Sequence, residues 1–254
     1  MINLIGFRAL VDREVLRFTS VFKQTIFPPL ISSFLYISIF GLTLGSRMQP
    51  VDGVSYLSFL IPGLVMMYLI EGSYNNTSSS LFIARWGGHI QEILVTPLSY
   101  VEMVFALLIG GLIRGVVVST GVFLVSLIFV KTPIMHPFLV LTIAFFVSLS
   151  FSAIGAIVAL IAEEFEHISI CTTFVITPLI FFGGVFNSIE MLPDVLQGFV
   201  RFNPIFYMVN GMRYSLMGVS DIPIATSLVV VIGLFCVLFT ATVLLFRAGF
   251  KLRK

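Results

Sequence analysis

Charge is scarce in this chain. Asp, Glu, Lys and Arg make up 10% of its 254 residues, against about a quarter in a soluble domain. Hydrophobic residues reach 58% and the mean hydropathy is +1.11, so the chain reads as a single membrane-embedded domain. The formal net charge of +2 sits at chain ends and loops rather than on one face, which excludes a nucleic-acid groove. There are two cysteines, Cys171 and Cys236, each inside an apolar run, and they read as small buried residues rather than a disulfide. Three histidines, His89, His136 and His167, are far apart and show no zinc-ligand spacing. No GxxxxGK[ST] run is present, so the chain has no phosphate-cradling loop of its own for ATP. No GxSxG or HExxH occurs, which removes the support for an intramembrane hydrolase. Internal repeats, low-complexity linkers and a cleavable leader are also missing, and the N-terminus opens on a charged amphipathic stretch.

What is present is a series of apolar runs. Residues 2–22 place Leu4, Phe7, Val11, Val15, Phe18 and Phe22 at steps of three and four, with Arg8, Asp12, Arg13 and Arg17 between them. This predicts an amphipathic helix whose basic face meets lipid headgroups. Six spans are expected: one between Lys23 and Arg47 with Pro28-Pro29 near its start, then Ser55–Ala84, Ser99–Val130, a fourth ending at Ala162, Ile168–Phe186 and Ile222–Phe246. Lys131–Pro137 is a tight turn, and Glu163, Glu164, Glu166 and His167 form an acidic elbow without a basic neighbour in sequence. Lys and Arg placement favours both termini inside: Arg8, Arg13, Arg17, Lys23, Arg85, Arg247, Lys251, Arg253 and Lys254 then face the cytoplasm, and only Arg47, Lys131, Arg201 and Arg213 lie outside.

After the fifth run the chain breaks at Gly183-Gly184. Two short helical pieces follow, Met191–Phe202 and Ile205–Leu216, divided by Asn203-Pro204. Each is too short to cross a hydrocarbon core, which takes about 20 residues. Two readings stand: a dip into one membrane face, packed in protein or lining a watery cavity, or amphipathic helices lying on headgroups.

Pro178, Gly183-Gly184, Pro193, Asn203-Pro204, Tyr207 and Arg213, followed by a glycine, together resemble the C-terminal signature of ABC type-2 transport permeases. The likeness extends to the PPL at Pro28–Leu30 and the IPGLVMM run at Ile61–Met67. The resemblance implies an all-α fold of six transmembrane helices and one domain over 1–254. It implies a connecting helix at 1–22, a coupling helix at 83–98 and an outer re-entrant segment at 187–218, the lid being marked by Gly183 and Gly184 just before that segment and by Asn203, Pro204, Tyr207 and Arg213 within it. It further implies a homodimer in a bacterial inner membrane, bound to two copies of a soluble ABC ATPase. ATP and Mg would sit on that partner, with no cofactor, metal or catalytic residue on this chain. Substrate would move outward between the two copies, beside spans two and five, by alternating access.

From the residues themselves, Ile83–Leu98 predicts a short helix with Trp86, Ile90, Ile93 and Leu94 on one side and Arg85, His89 and Glu92 on the others. By the resemblance this helix seats in a groove of the ATPase; the bland reading is an interfacial loop. Glu71 lies 14 residues before Arg85, about 21 Å at a helical rise, and Arg114 lies 16 after Leu98, about 24 Å. The two charges therefore reach similar depth, and an ion pair between them is expected, either pinning spans two and three or facing the path. The sequon-like Asn75-Asn76-Thr77-Ser78 falls within a span, where it hydrates a path or bonds between helices. The 27 phenylalanines, with Phe181, Phe182, Phe186, Phe199 and Phe206 near the outer third, suit an amphipathic or lipid-like substrate or simply face lipid. Rival readings are an ion-coupled secondary carrier using Glu71, a membrane enzyme, for which no clustered nucleophile, base or metal set can be assembled, and a non-transporting scaffold.

Overall fold

The computed structural model describes residues 3–44 and 53–252; Arg47, Arg253 and Lys254, used above for orientation, and the first two residues of the expected connecting helix lie outside the described residues. Regular structure among the described residues is helical throughout. In chain order the helices are α1 (Leu4–Ser20), α2 (Phe22–Tyr36, continued by a π-helical stretch Ile37–Leu44), α3 (Tyr56–Trp86), α4 (Ile90–Leu94) and α5 (Tyr100–Ser126). They continue with α6 (Pro137–Ile161), α7 (Phe165–Cys171), α8 (Thr177–Phe181), α9 (Asp194–Phe202), α10 (Pro204–Met217) and α11 (Ile224–Arg247).

Among the described residues, five helical segments are long and apolar enough to cross a membrane: Phe22–Gly41, Tyr56–Trp86, Tyr100–Ser126, Pro137–Ile161 and Ile224–Arg247. The expected fifth span, Ile168–Phe186, differs. It is a 17-residue composite, Phe165–Phe181, of α7, a π-helical stretch Thr172–Ile176 and α8. The widened turn stands just before Pro178, which lacks an amide hydrogen and whose ring crowds the carbonyl four residues earlier.

The 31-residue α3 is the hub, and it packs chiefly on α5 and α6. Its composition explains this. Small residues bring the three backbones together. A Cβ on Gly155 of α6 would lie 2.7 Å from the Tyr74 carbonyl oxygen, and one on Gly111 of α5 would fall 2.5 Å from the Thr77 hydroxyl. The helix starts are capped in sequence: Ser55 accepts from the Ser58 amide at 3.3 Å, and Ser99 with Glu102 forms a capping box at the head of α5.

The two ends of the bundle are distinct. One end gathers the α3–α4 corner, the C-terminal end of α6, the acidic elbow and Lys251, which donates to Glu163 at 3.1 Å and to the Ile161 carbonyl at 3.3 Å. The elbow therefore does have a basic neighbour, supplied from the far end of the chain. The other end gathers α10 and the turn before α6, where the Met135 and His136 amides donate to the Leu216 and Ser215 carbonyls at 3.2 and 2.9 Å.

Other expectations change too. The coupling segment Ile83–Leu98 is not one helix: α3 runs on through Trp86, Gly88 turns the chain at φ +78, and only the five-residue α4 follows. Cys236 is exposed rather than buried, and Cys171 is partly buried. In the broken region α9 buries only Val200, whereas α10 is buried on nearly every side, including Phe206, Val209, Met212 and Leu216.

Candidate functional site

The polar groups that a membrane domain has so few of fall into four places. The first is where α1 meets the bundle. Leu10, Glu14 and Phe18, at steps of four, are the buried face of α1. Glu14 is fully buried: its Oε1 accepts from the Ser80 hydroxyl at 2.8 Å and lies 3.3 Å from the Arg13 guanidinium, and its Oε2 lies 3.7 Å from Arg17 Nε. Arg17 Nη2 donates to the Asn76 carbonyl at 2.8 Å and to its side-chain oxygen at 2.9 Å. Gly110 of α5 makes the recess, because a Cβ there would stand 2.5 Å from that of Glu14. Burial draws the Arg17 guanidinium down from its ordinary range, and Glu14 draws it back up. The polar patch of α3 around Asn76 thus receives α1, so this helix is seated in protein as well as amphipathic. Sequence reasoning missed Glu14, although a carboxylate on an apolar i, i+4, i+8 stripe was the available signal.

The second place holds Glu71 and Arg114. Both line one small cavity of about 50 Å³ between α2, α3 and α5. No ion pair closes between them within 4.0 Å among the described residues, so the expected direct contact is replaced by a shared cavity.

The third place is the α3–α4 corner. Trp86 is 62% and Val95 82% exposed, while Ile90 and Ile93 are buried and anchor α4. Trp86 stacks on Phe82 with centroids 6.0 Å apart. His89 and Glu92 are exposed and approach to 3.4 Å. Arg85 turns inward instead: its guanidinium donates to the carbonyls of Leu160 and Ala162, where α6 leaves its last carbonyls unpaired. Sequence spacing put Trp86 with Ile90 and Ile93 and left Arg85 outward; the structure separates the exposed Trp86 from the buried isoleucines and ties Arg85 to α6.

The fourth place is at the other end. Gly184 turns the chain at φ +80, and its carbonyl accepts from Arg213 Nη2 at 2.6 Å. Arg213 is 1% exposed, pairs with Asp221 at 3.1 Å, and lays its guanidinium 3.8 Å from the Phe59 ring centroid. One side chain thereby joins α3, the Gly183-Gly184 break, α10 and the approach to α11. A Cβ on Gly183 would lie 2.7 Å from Ile205, so the break is packed against α10. Asn203 donates to the Leu179 carbonyl at 2.6 Å and accepts from the Ile205 amide at 3.0 Å, capping the helix that opens with Pro204. Tyr207 donates to the Arg201 carbonyl at 2.8 Å. The buried Asn210 accepts from the Asp221 amide at 2.8 Å and donates to Ser227 at 2.9 Å. Asn210 and Asp221 were not singled out from sequence, where nothing marks which loop they meet.

No group of three or more His, Cys, Asp or Glu side chains able to hold a metal occurs among the described residues.

Comparison with known proteins places the chain in a family. The family model described as ABC-2 type transporter matches residues 5–217. The chain is 37% identical over 223 residues to the inner membrane transport permease YadH of Escherichia coli strain K12, covering 88% of this chain and 87% of that protein. It is 24% identical over 234 residues to nodulation protein J of Rhizobium leguminosarum bv. viciae, covering 92% and 89%. Nodulation protein J of Rhizobium meliloti strain 1021 is 26% identical over 207 residues, covering 81% and 79%. An apolar bundle with buried polar joints, matched over nearly its whole length by transport permeases, makes this chain a multi-pass membrane protein of the ABC-2 type transporter family and a permease subunit of a transporter.

Proposed function

We propose that this chain is the membrane-spanning half of an ATP-driven exporter in a bacterial inner membrane. Two copies work with two soluble ABC ATPase subunits, which hold the ATP and Mg, and both termini face the cytoplasm. Substrate moves outward between the copies and is amphipathic or lipid-like. The observation that carries this reading is the α3–α4 corner. A large aromatic and an aliphatic side chain, Trp86 and Val95, stand exposed on a rigid turn anchored by buried Ile90 and Ile93. Such a projecting knob on a short helix suits a groove in a protein partner. It is also stiffly connected. Trp86 is the last residue of α3, and Arg85 beside it grips the end of α6, so force applied at the corner reaches two long helices at once.

The lid assignment draws support from the opposite end. Arg213 and Asn203 tie the Gly183-Gly184 break to α3 and α10. Phe186 there meets Phe181 at 5.0 Å, Phe40 at 5.5 Å and Tyr36 at 6.0 Å, an aromatic cluster compatible with an apolar cargo segment.

The test is co-purification with a soluble P-loop ATPase, followed by ATP turnover in lipid with candidate cargo. Trp86→Ala and Glu92→Arg should each leave the chain folded and uncouple hydrolysis from transport. Unchanged transport by both variants removes the coupling assignment. Transport that needs no ATPase and collapses with a protonophore would replace it with an ion-coupled carrier working through Glu71.

A further inference from the structure

The cavity between α2, α3 and α5 gathers polar groups that the protein does not satisfy. It is lined by Thr25, Pro29, Tyr68, Glu71, Asn75 and Arg114, with Gly72 and Val118 completing its wall. Arg114 Nε is buried without a hydrogen-bond partner, and the buried Tyr68 hydroxyl makes no hydrogen bond of good geometry, with Ser32 of α2 beside it. Among the described residues the Glu71 carboxylate takes part in no hydrogen bond or ion pair. A fourth group follows from sequence. In α2 the carbonyl of Thr25 would accept from the residue three or four positions on, and these are Pro28 and Pro29, which have no amide hydrogen. Two donors and the Glu71 carboxylate therefore share one small space, with Thr25 in its wall, in a part of the chain where lipid offers no hydrogen bonds.

Size and charge limit what fits. The cavity measures about 50 Å³, and a water needs about 10–15 Å³ of such volume, so the space suits a few waters, about three to five at most. The near-contact of α3 and α5 beside it fixes that size, since a Cβ on Gly72 would lie 3.0 Å from the Gly115 Cα. A lipid headgroup is too large. One carboxylate and one guanidinium leave no net charge to hold a lone ion. Buried polar groups left without protein partners are the usual ligands of internal water.

We propose that this cavity is an internal water site in which one to three ordered waters bridge Glu71 to Arg114. Tyr68 and Arg114 donate to the waters, and Glu71 and the Thr25 carbonyl accept from them. The charge pair is thus water-mediated. It can hold α3 and α5 in electrostatic register while letting the helices shift, because a water remakes its bonds where a direct pair would have to break.

The proposal requires neither an ATPase nor a cargo, so its failure leaves the transport reading standing. The experiment uses the purified full-length chain in detergent–lipid micelles, with reversible SDS-induced unfolding of Tyr68→Phe, Glu71→Gln and the double variant. A hydroxyl satisfied by water costs stability when removed, whereas an orphaned one costs nothing or less than nothing. Tyr68→Phe is therefore expected to shift the unfolding equilibrium about five-fold toward the unfolded state, and the double variant is expected to lose less than the sum of the singles. A neutral or stabilising Tyr68→Phe overturns the proposal. Ser32 of α2 lies by Tyr68 and supplies the control: if the effect of Tyr68→Phe vanishes in a Ser32→Ala background, the phenol bonds that hydroxyl and the water site is refuted. Independently, X-ray hydroxyl-radical footprinting labels side chains beside bound water. Tyr68 should be modified about ten-fold faster than Tyr74, which is buried and donates to the Ile168 carbonyl at 3.1 Å. Equal rates overturn the assignment.

Discussion

Replacing Glu14 tests whether α1 is held by the protein or by the bilayer. Its carboxylate is fully buried and receives the Ser80 hydroxyl at 2.8 Å, a hydrogen bond to a charged acceptor worth about 1.5–3 kcal/mol. The approaches of Arg13 and Arg17 add less, because those side chains are 40% and 28% exposed and solvent screens them; about 0.5 kcal/mol each is a fair allowance. Glu14→Ala should therefore cost about 3 kcal/mol, at the lower edge of what breaking a buried charged pair costs. Glu14→Gln keeps the shape and can still accept from Ser80, so about half that loss is expected. Combining Glu14→Ala with Ser80→Ala should fall about 1 kcal/mol short of additivity. The assays are SDS-induced unfolding for stability and hydrogen exchange of the α1 amides for docking. Exchange in α1 should rise while that of the α6 core stays unchanged. A Glu14→Ala variant within about 0.5 kcal/mol of the parent, with α1 still protected, would show that headgroup adsorption alone holds this helix and would refute the argument.

Gly155→Ala drives a methyl group to 2.7 Å from the Tyr74 carbonyl and 3.1 Å from the Ser78 amide nitrogen. Both are backbone atoms, so α3 and α6 must part, and a loss of about 1–3 kcal/mol in unfolding free energy is expected; no loss would mean that the two helices are not in close contact. Arg213→Lys keeps the charge but cannot stack on Phe59 while bridging Gly184 and Asp221. It should cost about 2 kcal/mol and raise protease sensitivity at the Gly183-Gly184 break. The hydrogen bond from Lys251, followed by that residue's charge, holds the Glu163 carboxyl below its ordinary range. A depressed carboxylate contributes its pairing above the unfolded-state value and loses it as pH falls through the folded one. Spin labels on α6 and on the segment after α11 should therefore separate as pH drops below the usual carboxylate range, or at high salt near neutrality; a distance indifferent to both would remove the pair.

Much of the fold was legible in the sequence because membrane insertion is governed by local hydropathy. A run of apolar residues long enough to span is visible without knowing its neighbours, and α3, α5, α6 and α11 lie close to where such runs predicted them. The breaks were equally local. Gly183-Gly184 and Asn203-Pro204 carry backbone preferences of their own, and the chain turns and caps there. The fifth expected span takes a form that hydropathy does not register, a 17-residue composite Phe165–Phe181 with a π-helical stretch followed by proline.

What the sequence left undecided was the partner of each charge. Arg85 looked like a group reaching for another protein, yet it caps α6; Glu14 passed unnoticed, yet it is fully buried. Glu71 and Arg114 agree in depth, as counting residues foretold, but depth is one coordinate and contact needs three. Helical period fixes the side of a helix on which a residue lies. The rotation of one helix against the next is set by the packing of small residues such as Gly110, Gly111 and Gly155 across the interfaces. Identity, membrane embedding and the positions of the breaks came from the chain itself. The burial of Glu14, the inward turn of Arg85, the Arg213–Asp221–Phe59 joint and the polar cavity came only from the assembled bundle, because each depends on which faces meet.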